Sequence, residues 1–125
     1  MLRACHRVLK PGAPLSYFVV AVADGLSDGD TARAVEVGPA YVAAGPGYLE
    51  LMHTAGFDTV DVVDVTDAYA VTLSDSIGER DVEADQLVDL LGAADFAEGQ
   101  SSRRHELAAV HEGLLRRYLI SAGRR

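Results

Sequence analysis

The sequence predicts an α/β layer fold, and three observations carry that prediction. A helix-sized segment stopped by Pro11-Gly12 feeds directly into an apolar strand. A second helical segment, stopped at Gly56, feeds a valine-rich strand, and a helix-rich span follows beyond residue 67. The strand Leu15-Ser16-Tyr17-Phe18-Val19-Val20-Ala21-Val22 is apolar on both faces, so it needs cover on both sides, as in a sheet packed between helices.

Each element has a local reason. In residues 2–9, Leu2, Cys5, Val8 and Leu9 fall on one side of a helix. Ser27-Asp28 caps a short helix over 29–37, and Gly38-Pro39 and Gly45-Pro46-Gly47 punctuate the loop that follows. Pro46 suits a first helical position; from there Tyr48, Leu51, Met52 and Ala55 recur at helical spacing, and Gly56 stands where a left-handed helix end is wanted. Asp58 to Val65 alternates Thr, Val and Asp, a more polar strand that belongs near an edge. Thr66 or Asp67 caps the next helix, in which Tyr69, Leu73 and Ile77 share a face. Two helical segments are expected between about 67 and 92, with Gly78 as a break and Gly92 as an end, and a further helix over about 100–112. Residues 115–122 read as strand or helix equally well on propensity alone.

Composition narrows the function classes. With 125 residues, 49% of them hydrophobic, the chain has room for one domain (1–125) with a modest core. The net charge of -8 argues against a general grip on nucleic acid, which needs clustered Lys and Arg. Charge is segregated: residues 58–98 hold twelve acidic groups and one basic, residues 99–125 six basic and two acidic. Apolar residues interleave the acidic stretch, so it reads as folded structure with a charged outer face, and Arg103-Arg104 and Arg116-Arg117 are expected to pair with it. One cysteine, Cys5, forms no internal disulfide, and the four histidines lack zinc-ligand spacing, so no metal is expected. Arg3, Arg7 and Lys10 before the apolar run Ala13–Ala23 outline a secretory leader, yet the run is too short to span a membrane and its composition favours a buried strand. A cytoplasmic protein without a membrane partner is expected.

Two motifs carry a resemblance. His6-Arg7-Val8-Leu9-Lys10-Pro11-Gly12 before an apolar strand resembles the "RVLKPGG" segment that leads into the fifth strand of class I S-adenosylmethionine-dependent methyltransferases, with Ala13 in place of the second glycine. Tyr48-Leu49-Glu50-Leu51-Met52-His53-Thr54-Ala55-Gly56-Phe57, followed by Val60, Val62 and Val65, looks like the same family's "LL..AGF..V" helix into the sixth strand. The resemblance implies a partial Rossmann-like sheet of about three strands with flanking helices. Its last strand, antiparallel, is inserted between the other two and built here by 113–120. The motifs belong to the second half of such an enzyme; the Gly-rich turn and ribose-binding acid of the first half have no counterpart, and Gly45-Pro46-Gly47 follows no first strand. The expectation is a truncated C-terminal portion, inactive alone, that binds the S-adenosylmethionine of the complete enzyme poorly.

Ligands of open α/β sheets bind beyond the carboxyl ends of the parallel strands, which singles out Asp24 after the first strand and Thr66 and Tyr69 after the second. With Tyr41 in the Gly/Pro loop as a lid, these are the candidates for binding a small-molecule methyl acceptor. His111, just before the last strand, is the candidate general base. Each also has a plain structural role: a turn at Asp24, a cap at Thr66, core packing at Tyr69 and Tyr41, a surface helix end at His111. The alternative is a non-catalytic interaction module, a half-sheet whose open edge forms a homo-oligomer or docks on a partner chain.

Overall fold

The apolar strand and the polar strand never touch. In the computed structural model, which describes residues 1–39 and 48–125, β1 (Pro14–Val22) and β2 (Phe57–Asp64) both pair antiparallel with β3 (Leu115–Arg124), giving the order β1-β3-β2. β1 and β2 therefore run parallel, separated by the last strand. The register is unbroken between β1 and β3, from Pro14 opposite Gly123 to Val22 opposite Leu115. On the other side it shifts between Asp58 and Asp61, a bulge that suits an edge strand carrying three aspartates.

Among the described residues the helices are α1 (Leu2–Val8), α2 (Asp28–Val37), α3 (Tyr48–Thr54), α4 (Thr66–Val82), α5 (Ala84–Leu91) and α6 (Ala93–His111). Side chains alternate across β1, so Val19 and Val20 enter different cores. Val19, Met52, Phe57, Ile120 and Ala122 are buried on one face, with Leu2, Cys5 and Leu9 of the α1 segment against them. On the other face Val20 and Leu115 pack with Ala34 of α2, Ala109 and Val110 of α6 and, partly buried, Tyr69 and Ala70 of α4. Met52, Phe57, Leu115 and Ile120 are each 0% exposed, and burying a side chain of that size stabilises by about 1.5–3 kcal/mol. The sandwiched sheet expected from a two-faced apolar strand is the one formed.

Local chemistry sets most boundaries. Ser27 Oγ accepts the Asp30 N–H at 3.1 Å and starts α2. Gly56, at φ 93°, ends the α3 turn and releases the chain into β2. Arg124 ties β3 to the first helix, donating to His6 Nε2 at 3.3 Å and to the Leu9 carbonyl.

Three boundaries differ from the sequence reading. α4 runs through Gly78 and stops at Val82: buried Leu73 and Ile77 hold the turns around it, and one exposed glycine costs only about 1 kcal/mol. α6 begins at Ala93 rather than near residue 100, because Gly92 at φ 88° ends α5 and three alanines favour immediate resumption of the helix. Thr66 is the first residue of α4, not its cap. Val65 holds that position without a side-chain bond, and Asp64 takes the Thr66 N–H instead.

Candidate functional site

The carboxyl ends of β1 and β2 and the start of β3 meet at one end of the sheet. Asp24 lies in the turn after β1, where the Ala23 N–H bonds the Leu114 carbonyl at 3.0 Å. Beyond β2, the Asp64 carboxylate gathers three donors. Oδ1 accepts the Thr66 hydroxyl at 2.5 Å and the Thr66 N–H at 2.9 Å, and Oδ2 accepts Arg116 Nη1 at 3.0 Å. Thr66 Oγ1 in turn accepts the Arg117 N–H at 3.0 Å, which stitches the β2–α4 junction to β3. The Thr66 hydroxyl, then its N–H, with Arg116 adding to them, holds the Asp64 carboxyl below the usual carboxylate range.

Tyr118 lies opposite Asp64 in the register and opposite Val19 on its other side, at the middle of the sheet. Burial first, then the charges of Asp64 and Asp24, push its phenol upward, so it keeps its proton at neutral pH and remains a donor. Asp24, Asp64, Arg116 and Tyr118 thus form one polar group across the sheet end. The other face of that end is built around Arg117, whose guanidinium stacks 4.3 Å from the Phe18 ring centre and 4.7 Å from that of Tyr69. The Tyr69 hydroxyl donates to Glu106 Oε1 at 2.6 Å.

Of the predicted positions, the structure brings Asp24 and Thr66 to the same sheet end and shows what else they do. Thr66 is 8% exposed and spends its hydroxyl on Asp64 and Arg117. Tyr69 joins the core on the α2/α6 face. His111 is the exposed last residue of α6. Tyr41 lies outside the described residues. Asp64, Tyr118 and Glu106 were not singled out from sequence, and only the strand register could have paired Asp64 with Tyr118. Of the C-terminal arginines expected to pair with the acidic stretch, Arg104 meets Asp81 at 2.8 Å and Arg116 meets Asp64 at 3.0 Å, whereas Arg117 stacks on Phe18 and Tyr69.

An open groove of about 580 Å³ lies between the end of α2 and the middle of α6, lined by Glu36, Pro39, Ser102, Arg103, His105 and the same Glu106. Among the described residues no three His, Cys, Asp or Glu side chains form a metal site, and no helix is long and apolar enough to cross a membrane.

Solved structures share this arrangement. Haemonchus contortus phosphoethanolamine N-methyltransferase 2, in complex with phosphomonomethylethanolamine and S-adenosylhomocysteine, is similar over 98% of this chain and 29% of its own, with TM-score 0.75 and 13% identity. A Galdieria sulphuraria protein described as a sarcosine dimethylglycine methyltransferase matches 98% of this chain and 45% of its own, with TM-score 0.74 and 16% identity. A mycolic acid cyclopropane synthase complexed with SAH matches 98% and 48%, with TM-score 0.76 and 15% identity. No family model and no curated protein matches the sequence. The chain has a partial fold of S-adenosylmethionine-dependent methyltransferases, and it spans less than half the length of these three solved chains.

The described residues do not fit that cofactor. Gly12, Gly56 and Gly113 have positive φ but precede their strands, and Gly92 joins two helices. Gly25 alone follows a parallel strand, and nothing lies within 4 Å of where its Cβ would be, so it cradles no close-packed turn. The Asp64 carboxylate, at the end of β2, is already taken by Thr66 and Arg116.

Proposed function

We propose that the 125 residues act as one unit, the acceptor-side C-terminal portion of a methyltransferase that modifies a small molecule, inactive alone and dependent on cofactor-binding residues outside those described. The observation that carries this reading is the insertion of antiparallel β3 between parallel β1 and β2. Asp24, Thr66, Tyr69 and Tyr41 line the acceptor's side in this reading. His111, the exposed last residue of α6, accepts in this reading the proton that the acceptor's nucleophilic atom gives up. The contribution of the chain is positioning, the larger part of such a reaction. A cytoplasmic setting belongs to the same reading, in keeping with a single free cysteine.

Calorimetric titration of S-adenosylmethionine into the pure 125-residue chain should give no binding heat in the micromolar range. Stoichiometric micromolar binding would overturn the division of labour. The native mass in the source cells tests the remainder: a species above 13.3 kDa containing this sequence and binding the cofactor is expected, and a free, partnerless 13.3 kDa chain is the contrary result.

A second reading, a non-catalytic interaction module, rests on the outer edge of β1. No strand pairs with that edge among the described residues, and none of its nine residues is charged, whereas β2 at the opposite edge carries three aspartates and a bulge. Sedimentation at falling concentration separates the readings: dissociation of a homo-oligomer favours the module, and a monomer down to nanomolar concentration counts against it.

A further inference from the structure

The helices between β2 and β3 form a hairpin whose far end differs in chemistry from its stalk. α4 leaves the sheet at Thr66 and α6 returns to it at His111; seventeen residues of α4, at about 1.5 Å per residue, carry the tip roughly 25 Å from the sheet. The stalk is locked. Gln100, 2% exposed, donates Nε2 to the Ile77 carbonyl at 3.1 Å and to Asp81 Oδ1 at 2.8 Å, and Arg104 holds both oxygens of Asp81 at 3.0 and 2.8 Å.

Past residue 81 the apolar side chains turn outward. Val82 is 83% exposed, Leu90 79% and Leu91 50%, while Leu87, Val88 and Phe96 are only half-buried. α5, an amphipathic helix, has no buried residue and packs mainly on α6. Eight residues are too few to hold a helix in water, so α5 persists through that one-sided packing and presents its remaining leucines to solvent. One exposed leucine is ordinary; three large exposed apolar residues within ten positions of a braced tip exceed that scatter.

The rim selects the occupant. Exposed Glu83, Asp85, Asp89, Asp95 and Glu98 surround these residues in sequence, and Arg80 is the one base between residues 79 and 98. A second copy would bring like charges together, and an anionic lipid surface would be repelled. We infer that the α5 tip docks a basic amphipathic helix of a partner protein, with apolar side chains seated on Val82, Leu90 and Leu91 and Lys or Arg side chains meeting Asp85 and Asp89. This surface is independent of the methyl-transfer reading, since it lies at the opposite end of the hairpin from the sheet.

The test uses the full 125-residue chain and two fluorescein-labelled helical peptides of about 18 residues with identical leucine spacing, one with lysine and one with glutamate on the polar face. Fluorescence anisotropy should show the lysine peptide binding at least about tenfold tighter than the glutamate peptide. Hydrogen-exchange protection by the bound peptide should centre on residues 82–98. The double variant Leu90→Ser, Leu91→Ser should lose about tenfold in affinity with an unchanged thermal melt, since these side chains are already at least half exposed. Equal binding of the two peptides, no binding, protection centred on the sheet, or an oligomer of the chain that the double variant dissolves would each overturn the inference.

Discussion

Asp64 and Thr66 are joined twice, through the threonine hydroxyl at 2.5 Å and its N–H at 2.9 Å, and Thr66 hands the connection on to the Arg117 N–H of the neighbouring strand. Two residues of one turn therefore fix both the start of α4 and the seating of β3. Thr66→Val keeps the shape and removes the hydroxyl, leaving the buried-side Arg117 N–H unpaired. Urea unfolding should show a loss of about 1–3 kcal/mol, with Thr66→Ser losing much less.

The same pair makes stability pH-dependent. Because the folded Asp64 carboxyl titrates below its unfolded value, the unfolded chain takes up protons first as pH falls. Its contribution is complete above the unfolded value near about pH 3.9 and is lost as pH drops through the folded one. Asp64→Asn should flatten that acid limb while leaving the slope between pH 6 and 8 unaltered, with unfolding followed by circular dichroism from about pH 7 down to about pH 2.

Gly56 and Gly92 separate two costs of a side chain. Both have φ near 90°, and Gly92, with ψ 150°, lies in a region essentially confined to glycine, so an L residue costs on the order of 1–3 kcal/mol. A Cβ at Gly56 would also lie 2.6 Å from His6 Nε2, whereas at Gly92 it would meet nothing within 4 Å. Gly56→Ala should therefore destabilise more than Gly92→Ala, and adding His6→Ala should recover part of the difference in a double-mutant cycle.

Val62 and Ile120 face each other across β2 and β3, yet one is 46% exposed and the other fully buried. Ile120→Val should cost about 0.5–1.5 kcal/mol by denaturant melt. Val62→Ala should stay within about 0.5 kcal/mol.

What could be read ahead of the structure follows the range of the interaction. The helix carrying Met52, its stop at Gly56 and the strand beginning at Phe57 are neighbours in sequence, so spacing and turn chemistry reveal them. The placement of β3 is different in kind: Ser16 and Ser121, whose hydroxyls meet at 2.9 Å, are 105 positions apart, and residues 115–122 suit a helix as well as a strand. Only the family resemblance decided for strand. At the candidate site, Asp24 and Thr66 were visible because they directly follow strands. The Asp64–Tyr118 pairing was not, because register comes from tertiary packing. Gly78 misled for a related reason: an intrinsic helix weakness is outweighed when its neighbours Leu73 and Ile77 are buried.

The order in which the sheet must assemble follows from the position of β3. β1 and β2 share no hydrogen bond, and within residues 1–125 the strand that joins them is the last to be synthesised. Local helices form early, but both cores wait for Leu115 and Ile120 to slide between strands already made. The sheet therefore closes through contacts on the order of a hundred positions apart, a topology that favours slow folding.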